Sequence, residues 1–218
     1  MPHQCTLCGA TTNEPFLCQG CYTDLPWLPN ARCPICAIPT LDNQPCGRCL
    51  RDPPAFDATY CQLAYAYPLD ALIRDYKFNN RLNLQPLLSS LLQSIATHNT
   101  PDLLIPAPLS SRRLRERGFN QAQELARPLS KRGWQLSTQH IIKIRETAVQ
   151  NTLKWQQRAS NVKGAFECID TVQGKHILLV DDVMTTGATL NELATTLKRW
   201  GAVEVNCLVL ARTLSERS

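Results

Sequence analysis

A chain of 218 residues, 44% hydrophobic and 19% charged, can bury the core of one ordinary domain and carry a small second one, and its size excludes a disulfide-stapled miniprotein. It has no low-complexity tract, no apolar run near the ~20 residues that span a bilayer, and an opening MPHQCTLCGA without the basic and apolar regions of a signal peptide, so a folded cytoplasmic protein without membrane insertion is expected. The formal charge of +5 is −1 over residues 1–50 and +6 beyond, and eight thiolates on two divalent ions would remove four more, so net charge is weak ground for nucleic acid.

Eight of the eleven cysteines fall in the first 49 residues as four CxxC pairs: Cys5 and Cys8, Cys18 and Cys21, Cys33 and Cys36, Cys46 and Cys49. The second four repeat the first after 28 residues, a tandem C-x2-C-x9-C-x2-C. Each CxxC knuckle sets two sulfurs on one side of an ion, and two knuckles complete a tetrahedron, so two structural Zn2+ sites are expected with no open position for catalysis. Disulfides are disfavoured in a cytoplasmic chain, and a thioredoxin-like pair lacks its βαβ setting. Spacing leaves open whether the pairs combine sequentially or interleaved, and iron is a minor alternative to zinc. Cys61, Cys168 and Cys207 lie in apolar, strand-like surroundings and read as core fillers.

Composition shifts at LRDPPAFD, residues 50–57, where two prolines make a stiff connector; the expected domains are 1–52 and 53–218. Beyond it, 60–67 reads as extended. Leu84, Leu87, Leu88, Leu91, Leu92 and Ile95 keep helical spacing, as do Ala122, Leu125, Ala126 and Leu129. Residues 103–105 before Pro106 form a short buried strand, 140–144 and 166–169 are further strand candidates, and 177–180 is the clearest strand. Leu190, Leu193, Ala194 and Leu197 give a helical stripe, and 205–210 is nearly continuous apolar strand. Alternating strands and helices argue an α/β fold with a mostly parallel sheet and ligands at its carboxyl edge.

The chemistry concentrates in ILLVDDVMTTGAT, residues 177–189. A buried strand ends in Asp181 and Asp182, and a loop of small hydroxylic residues opens a helix. Loop amides and the positive end of the helix dipole can surround a phosphate, with the hydroxyls of Thr185, Thr186 and Thr189 as further donors and Gly187 letting the backbone approach. Two carboxylates beside a phosphate site repel phosphate, so they suit ribose hydroxyls and a hard Mg2+ ion. Neither GxxxxGK[ST] nor GxGxxG occurs, which disfavours a Walker loop and a Rossmann turn.

This run resembles the phosphoribosyl pyrophosphate signature of type I phosphoribosyltransferases. The resemblance implies that Asp181 and Asp182 bind the ribose hydroxyls and that Thr185, Thr186, Gly187, Ala188 and Thr189 bind the 5-phosphate. The order of double cysteine repeat, Tyr76-Lys77-Phe78, Pro106-Ala107-Pro108, Arg117-Gly118-Phe119-Asn120-Gln121, Gln150 with Arg158 and Asn161-Val162, then this loop, resembles the competence protein F family over nearly the whole chain. That family implies a type I phosphoribosyltransferase-like sheet flanked by helices behind a double zinc ribbon. It implies two structural Zn2+ ions, and Mg2+ with phosphoribosyl pyrophosphate as ligand. It also implies a role in natural competence, with single-stranded DNA and a DNA-uptake helicase as partners. An active Mg2+-dependent transferase of nucleotide salvage with an unidentified acceptor is the alternative.

By the same analogy the loop at 107–113 contacts pyrophosphate, with Arg112 and Arg113 reaching its oxygens. Residues 145–163 suit a loop that closes over the site and shields an oxocarbenium-like state from water. Seven basic residues between 112 and 132 face two glutamates, as a solvated helical face, a pyrophosphate contact or a nucleic-acid track. No acceptor-base pattern is visible near Tyr76 to Asn79. His3, His98, His140 and His176 follow no metal spacing, and Trp27, Trp134, Trp155 and Trp200 do not alternate with basic residues, so structural roles are expected for both sets.

Overall fold

Each cysteine repeat starts a short helix, and the apolar runs beyond residue 57 build a parallel sheet. The computed structural model describes residues 2–79, 81–95, 97, 100–145 and 162–214. Strand β1 (His3–Gln4) pairs antiparallel with β2 (Thr11–Thr12), and helices α1 (Gln19–Thr23) and α2 (Gly47–Arg51) begin directly after Cys18 and Cys46. Then come β3 (Ala58–Tyr60), β4 (Leu63–Ala64), α3 (Leu69–Phe78), a 3-10 turn at Leu82–Leu84, α4 (Gln85–Gln93) and β5 (Leu103–Pro106). Helices α5 (Ser111–Arg117) and α6 (Gln121–Ala126) lead through a 3-10 stretch, Arg127–Arg132, to β6 (Ile141–Lys143) and β7 (Phe166–Cys168). The chain ends with β8 (His176–Met184), α7 (Ala188–Arg199) and β9 (Glu204–Arg212).

The main sheet runs β3-β9-β8-β5 with all neighbours parallel, and β4 extends the β3 edge along β9. Side chains on a strand alternate faces, so residue parity sorts the core. Leu104, Leu178, Val180, Leu208 and Leu210 pack with the leucines of α3, α4 and α6, whereas Leu103, Ile105, Ile177, Leu179, Val205, Cys207 and Val209 pack with Leu190, Leu193 and Leu197 of α7. Covering both faces is what a parallel sheet requires, and it explains the near-continuous apolar runs of β8 and β9.

Several expectations need correction. Residues 60–67 are not one strand: Cys61 and Gln62 separate β3 from β4. β6 and β7 pair antiparallel with each other, outside the main sheet. The strand expected to end in Asp181 and Asp182 runs on to Met184, because β9 continues beside it with Asp181 opposite Val209, Val183 opposite Ala211 and Met184 opposite Arg212. The two carboxylates therefore stand within a strand, and alternation sends them to opposite faces. Helix α5 begins inside the expected pyrophosphate loop, which places Arg112 and Arg113 in its first turn.

The 50–57 connector is well anchored. Ala55 N donates to Asn191 Oδ1 at 2.7 Å, Asp57 Oδ2 accepts from Val205 N at 2.8 Å, and Phe56 is buried. His98, Trp155 and most of the expected closing loop, with Gln150, Arg158 and Asn161, lie outside the described residues.

Candidate functional site

β5 ends opposite Val180 of β8, so the loop that follows it opens beside Asp181 and Asp182 at the carboxyl edge of the sheet. After β8, Thr185 and Thr186 lead to Gly187, whose φ of +83° is left-handed and closes the turn into α7. A side chain there would be strained by that φ, although space exists: a Cβ would meet the Phe56 ring at 3.7 Å, ordinary contact. Ala188 N donates to Thr186 Oγ1 at 3.1 Å, which shapes the helix entry. Asp181, Val183, Met184 and residues 185–190 surround a small hollow open to solvent. The twelve-residue α7 points its N-terminal end into this hollow, with Lys198 and Arg199 in its last turn complementing the dipole.

Asp181 is half-buried at this edge. Burial, reinforced by the neighbouring Asp182 carboxylate, pushes its carboxyl up to about 7 against the opposing pull of Lys77. Its Oδ1 accepts from Asp182 N at 2.9 Å. Asp182 is buried on the face covered by α3 and α6, and its Oδ2 lies 2.7 Å from Lys77 Nζ.

The segments around it converge on this face. Arg117 stands over the Phe78 ring at 4.9 Å and donates to Gln121 Oε1 at 2.8 Å, and Tyr76 meets Phe119 with ring centroids 5.3 Å apart. Burial lowers the Arg117 pKa, and the Asp182 carboxylate opposes that shift. Asn120 Nδ2 donates to the Ala107 carbonyl at 3.0 Å, while Ala107 N donates to Val180 O at 2.8 Å, so the post-β5 loop is tied to β8. Residues chosen from three stretches of sequence thus meet around Asp182.

The arginines expected at pyrophosphate are placed differently from one another. Arg112 Nε lies 2.7 Å from Glu116 Oε1 in an exposed i,i+4 pair, and Arg113 N donates to the capping hydroxyl of Ser110. Among the other titratable groups, burial pushes the Cys61 thiol up to about 11 and raises Cys168 and Cys207, consistent with unreactive core cysteines. His176 pairs with Glu204, and His140 lies near Ser137 and Asp170.

The N-terminal cysteines group sequentially: Cys5, Cys8, Cys18 and Cys21 form one tetrad, Cys33, Cys36, Cys46 and Cys49 the other, and the sulfurs within each lie within 4.8 Å of one another. Two Zn–S bonds of 2.3 Å at the tetrahedral angle separate sulfurs by about 3.8 Å. Cys8 and Cys18 sulfurs stand 3.8 Å apart, and those of Cys36 and Cys46 3.7 Å, so both tetrads have the dimensions of a tetrahedral metal site.

Sequence reasoning missed Arg212, one of the largest fully buried side chains among the described residues. Its Nε donates to the Cys36 carbonyl at 2.9 Å, and its Nη1 donates to the carbonyls of Met184 (2.9 Å), Thr213 (2.8 Å) and Thr185. The available signal was a lone charge closing a buried apolar strand at the carboxyl edge of the sheet, where a ligand loop also begins.

The fold and this edge define a phosphoribosyltransferase-type domain joined to paired cysteine ribbons. Residues 115–218 match the phosphoribosyl transferase domain family, and residues 1–50 match the double zinc ribbon domain. The chain is 41% identical over 193 residues to a DNA utilization protein of Escherichia coli O157:H7, covering 84% of each chain, and 33% identical over 208 residues to competence protein F of Haemophilus influenzae, covering 90% of each. It belongs to the family of competence protein F and the DNA utilization proteins. Among solved structures it is similar to the allosteric regulatory enzyme of purine biosynthesis, at 23% identity and a TM-score of 0.38, over 57% of this chain and 24% of that one. No helix among the described residues is long and apolar enough to cross a membrane.

Proposed function

We propose that the chain binds phosphoribosyl pyrophosphate with Mg2+ at residues 181–189, holds one Zn2+ in each cysteine tetrad, and serves natural competence in the handling or use of internalised single-stranded DNA. The observation that carries the ligand reading is the meeting, in one hollow, of the Asp181 carboxyl, the Thr185, Thr186 and Thr189 residues and the N-terminal end of α7. Amides at the helix entry and the hydroxyls hold the 5-phosphate. Asp181 faces the ribose, and Asp182, held by Lys77 on the opposite face, steadies it through the backbone N–H that it donates to Asp181 Oδ1. Carboxylate and hydroxyl oxygens are the hard donors that Mg2+ takes.

Zinc is supported by the all-cysteine donor sets and their sulfur spacings, and four thiolates per ion make the role structural. The names of the relatives, DNA utilization and competence, support the biological setting.

Transfer of phosphoribose to an acceptor in nucleotide salvage is a second reading, favoured by the match to a phosphoribosyl transferase domain. Incubation with radiolabelled phosphoribosyl pyrophosphate, Mg2+ and a panel of nucleobases separates the two. Saturable binding with no pyrophosphate released above hydrolytic background supports the binding reading; base-dependent release establishes the transferase; no binding at all overturns both.

A further inference from the structure

The two cysteine ribbons meet the α/β body in different ways. The first brings Cys5, Leu17 and Leu25 into the apolar cluster of Leu87, Leu88 and Leu91. The second packs Ala37 and Ile35 against the cluster of Phe56, Cys61 and Met184 and adds polar contacts along one knuckle: the Pro34 carbonyl accepts from Thr59 N at 3.2 Å, the Ile35 carbonyl from Thr59 Oγ1 at 2.7 Å, and the Cys36 carbonyl from Arg212 Nε at 2.9 Å. Three consecutive carbonyls of a metal-binding turn are thus fixed by β3 and β9.

Arg212 carries that contact onward. Its backbone is pinned in the ladder, opposite Met184 on one side and Ala64 on the other, with its carbonyl accepting from Tyr65 N at 2.8 Å. The side chain is enclosed as well. It is 2% exposed, and the partners described for it are carbonyls: Cys36 on the ribbon, and Met184 and Thr185 at the start of the loop under α7. A planar fork satisfies several carbonyls at fixed angles, which an ammonium cannot reproduce. Four thiolates around a divalent ion leave a net charge of −2, so the filled second tetrad also brings negative charge to the side of this buried cation.

We propose that Arg212 is a positioning residue through which metal occupancy of the second tetrad sets the geometry of the 185–189 loop and hence its affinity for phosphoribosyl phosphate groups. The ligand part rests on the proposed function; the coupling of tetrad to loop does not. When the second tetrad is empty, the Cys33 to Cys36 turn loosens, the Cys36 carbonyl leaves Nε, and the guanidinium no longer fixes the Met184 and Thr185 carbonyls. The first tetrad sits in the apolar cluster on the α4 side, and the chain leaving it is hydrogen-bonded to β4, where Ala64 N donates to the Pro26 carbonyl at 2.7 Å; none of its described hydrogen bonds reaches the 185–189 loop.

The test uses the full chain with both metals bound, and two readouts. Amide hydrogen exchange is followed in peptides covering 184–190, and phosphoribosyl pyrophosphate with Mg2+ is titrated by calorimetry. Cys46→Ser, which empties the second tetrad from its outer knuckle, should speed loop exchange and weaken ligand by about tenfold, within the usual range of coupled sites. Cys8→Ser, which empties the first tetrad, should affect both clearly less. Arg212→Met should reproduce the Cys46→Ser result while retaining two zinc ions by metal analysis, and Arg212→Lys should recover only part of the loop protection.

Unchanged loop exchange in folded Arg212→Met, or equal effects from Cys8→Ser and Cys46→Ser, overturns the coupling. Should Arg212→Met fail to fold, the comparison of Cys46→Ser with Cys8→Ser decides alone. If the parent binds no phosphoribosyl pyrophosphate, the ligand reading fails, and the exchange data still settle whether tetrad and loop are linked.

Discussion

Lys77 Nζ sits 2.7 Å from Asp182 Oδ2, with the two side chains 17% and 10% exposed. A pair this buried offsets two desolvation costs with one attraction, so removing a single partner strands the other charge. Lys77→Ala should therefore cost about 3 kcal/mol in urea unfolding, whereas Lys77→Met combined with Asp182→Asn should cost clearly less than the single change. A single variant as stable as the parent contradicts the pairing.

Asp181 makes stability depend on pH. Its folded carboxyl titrates near 7 against an ordinary 3.8, so between about pH 4 and 7 the folded state keeps a proton that the unfolded chain has lost. Raising pH through that window lowers stability; the cost is complete above the folded value and absent below the unfolded one. Asp181→Asn should match the parent near pH 4 and exceed it near pH 8, by denaturant titration at each pH. Parallel pH profiles for the two proteins contradict the assignment.

Metal content tests the tetrads separately. The parent should hold two zinc ions per chain, released by strong chelation, and Cys5→Ser or Cys33→Ser should each hold one, with the β-sheet signal of the α/β body retained in circular dichroism. Fewer than one ion per chain in carefully prepared parent protein contradicts the two-site reading.

The cysteine tetrads and the ligand loop were legible because both are local: a 28-residue repeat in one case and a strand, acids and small hydroxylic residues in the other. Helical stripes such as Leu84 to Ile95 were legible through their period, and α3 carries the same signal in Leu69, Leu72, Ile73 and Tyr76, diluted by the charges between them. What local pattern could not supply was partnership. Nothing near Asp182 in sequence says that Lys77 neutralises it, and nothing near Cys36 says that a residue 176 positions later closes on its carbonyl. The strand end at Asp181 and Asp182 was misplaced for a related reason. Acidic residues signal a loop locally, but the ladder with β9 carries the strand on to Met184.

The basic stretch yields a prediction about DNA. Arg127 pairs with Glu124 at 2.7 Å, Arg132 donates to the Gln93 carbonyl and stands 5.3 Å over the Trp134 ring, and Lys131 is exposed. If this surface tracks a phosphate backbone, the protein should bind single-stranded DNA weakly, without sequence preference and with steep salt dependence. Arg127→Ala/Lys131→Ala/Arg132→Ala should flatten the slope of log affinity against log salt by about 2, at about 0.7 per lost contact, in fluorescence anisotropy. Unchanged affinity and slope rule this stretch out.

The central claim is that the strand-end carboxylates and the 185–189 loop form a phosphoribosyl pyrophosphate site. Calorimetric titration of that ligand with Mg2+ into the parent, Asp181→Asn and Asp181→Asn/Asp182→Asn proteins, with circular dichroism to verify folding, tests it most directly. The account predicts saturable binding by the parent, at least about tenfold weaker binding by Asp181→Asn, in line with the loss of charge-assisted contacts, and most of the affinity gone in the double variant. Parent-like affinity in a folded double variant would contradict it.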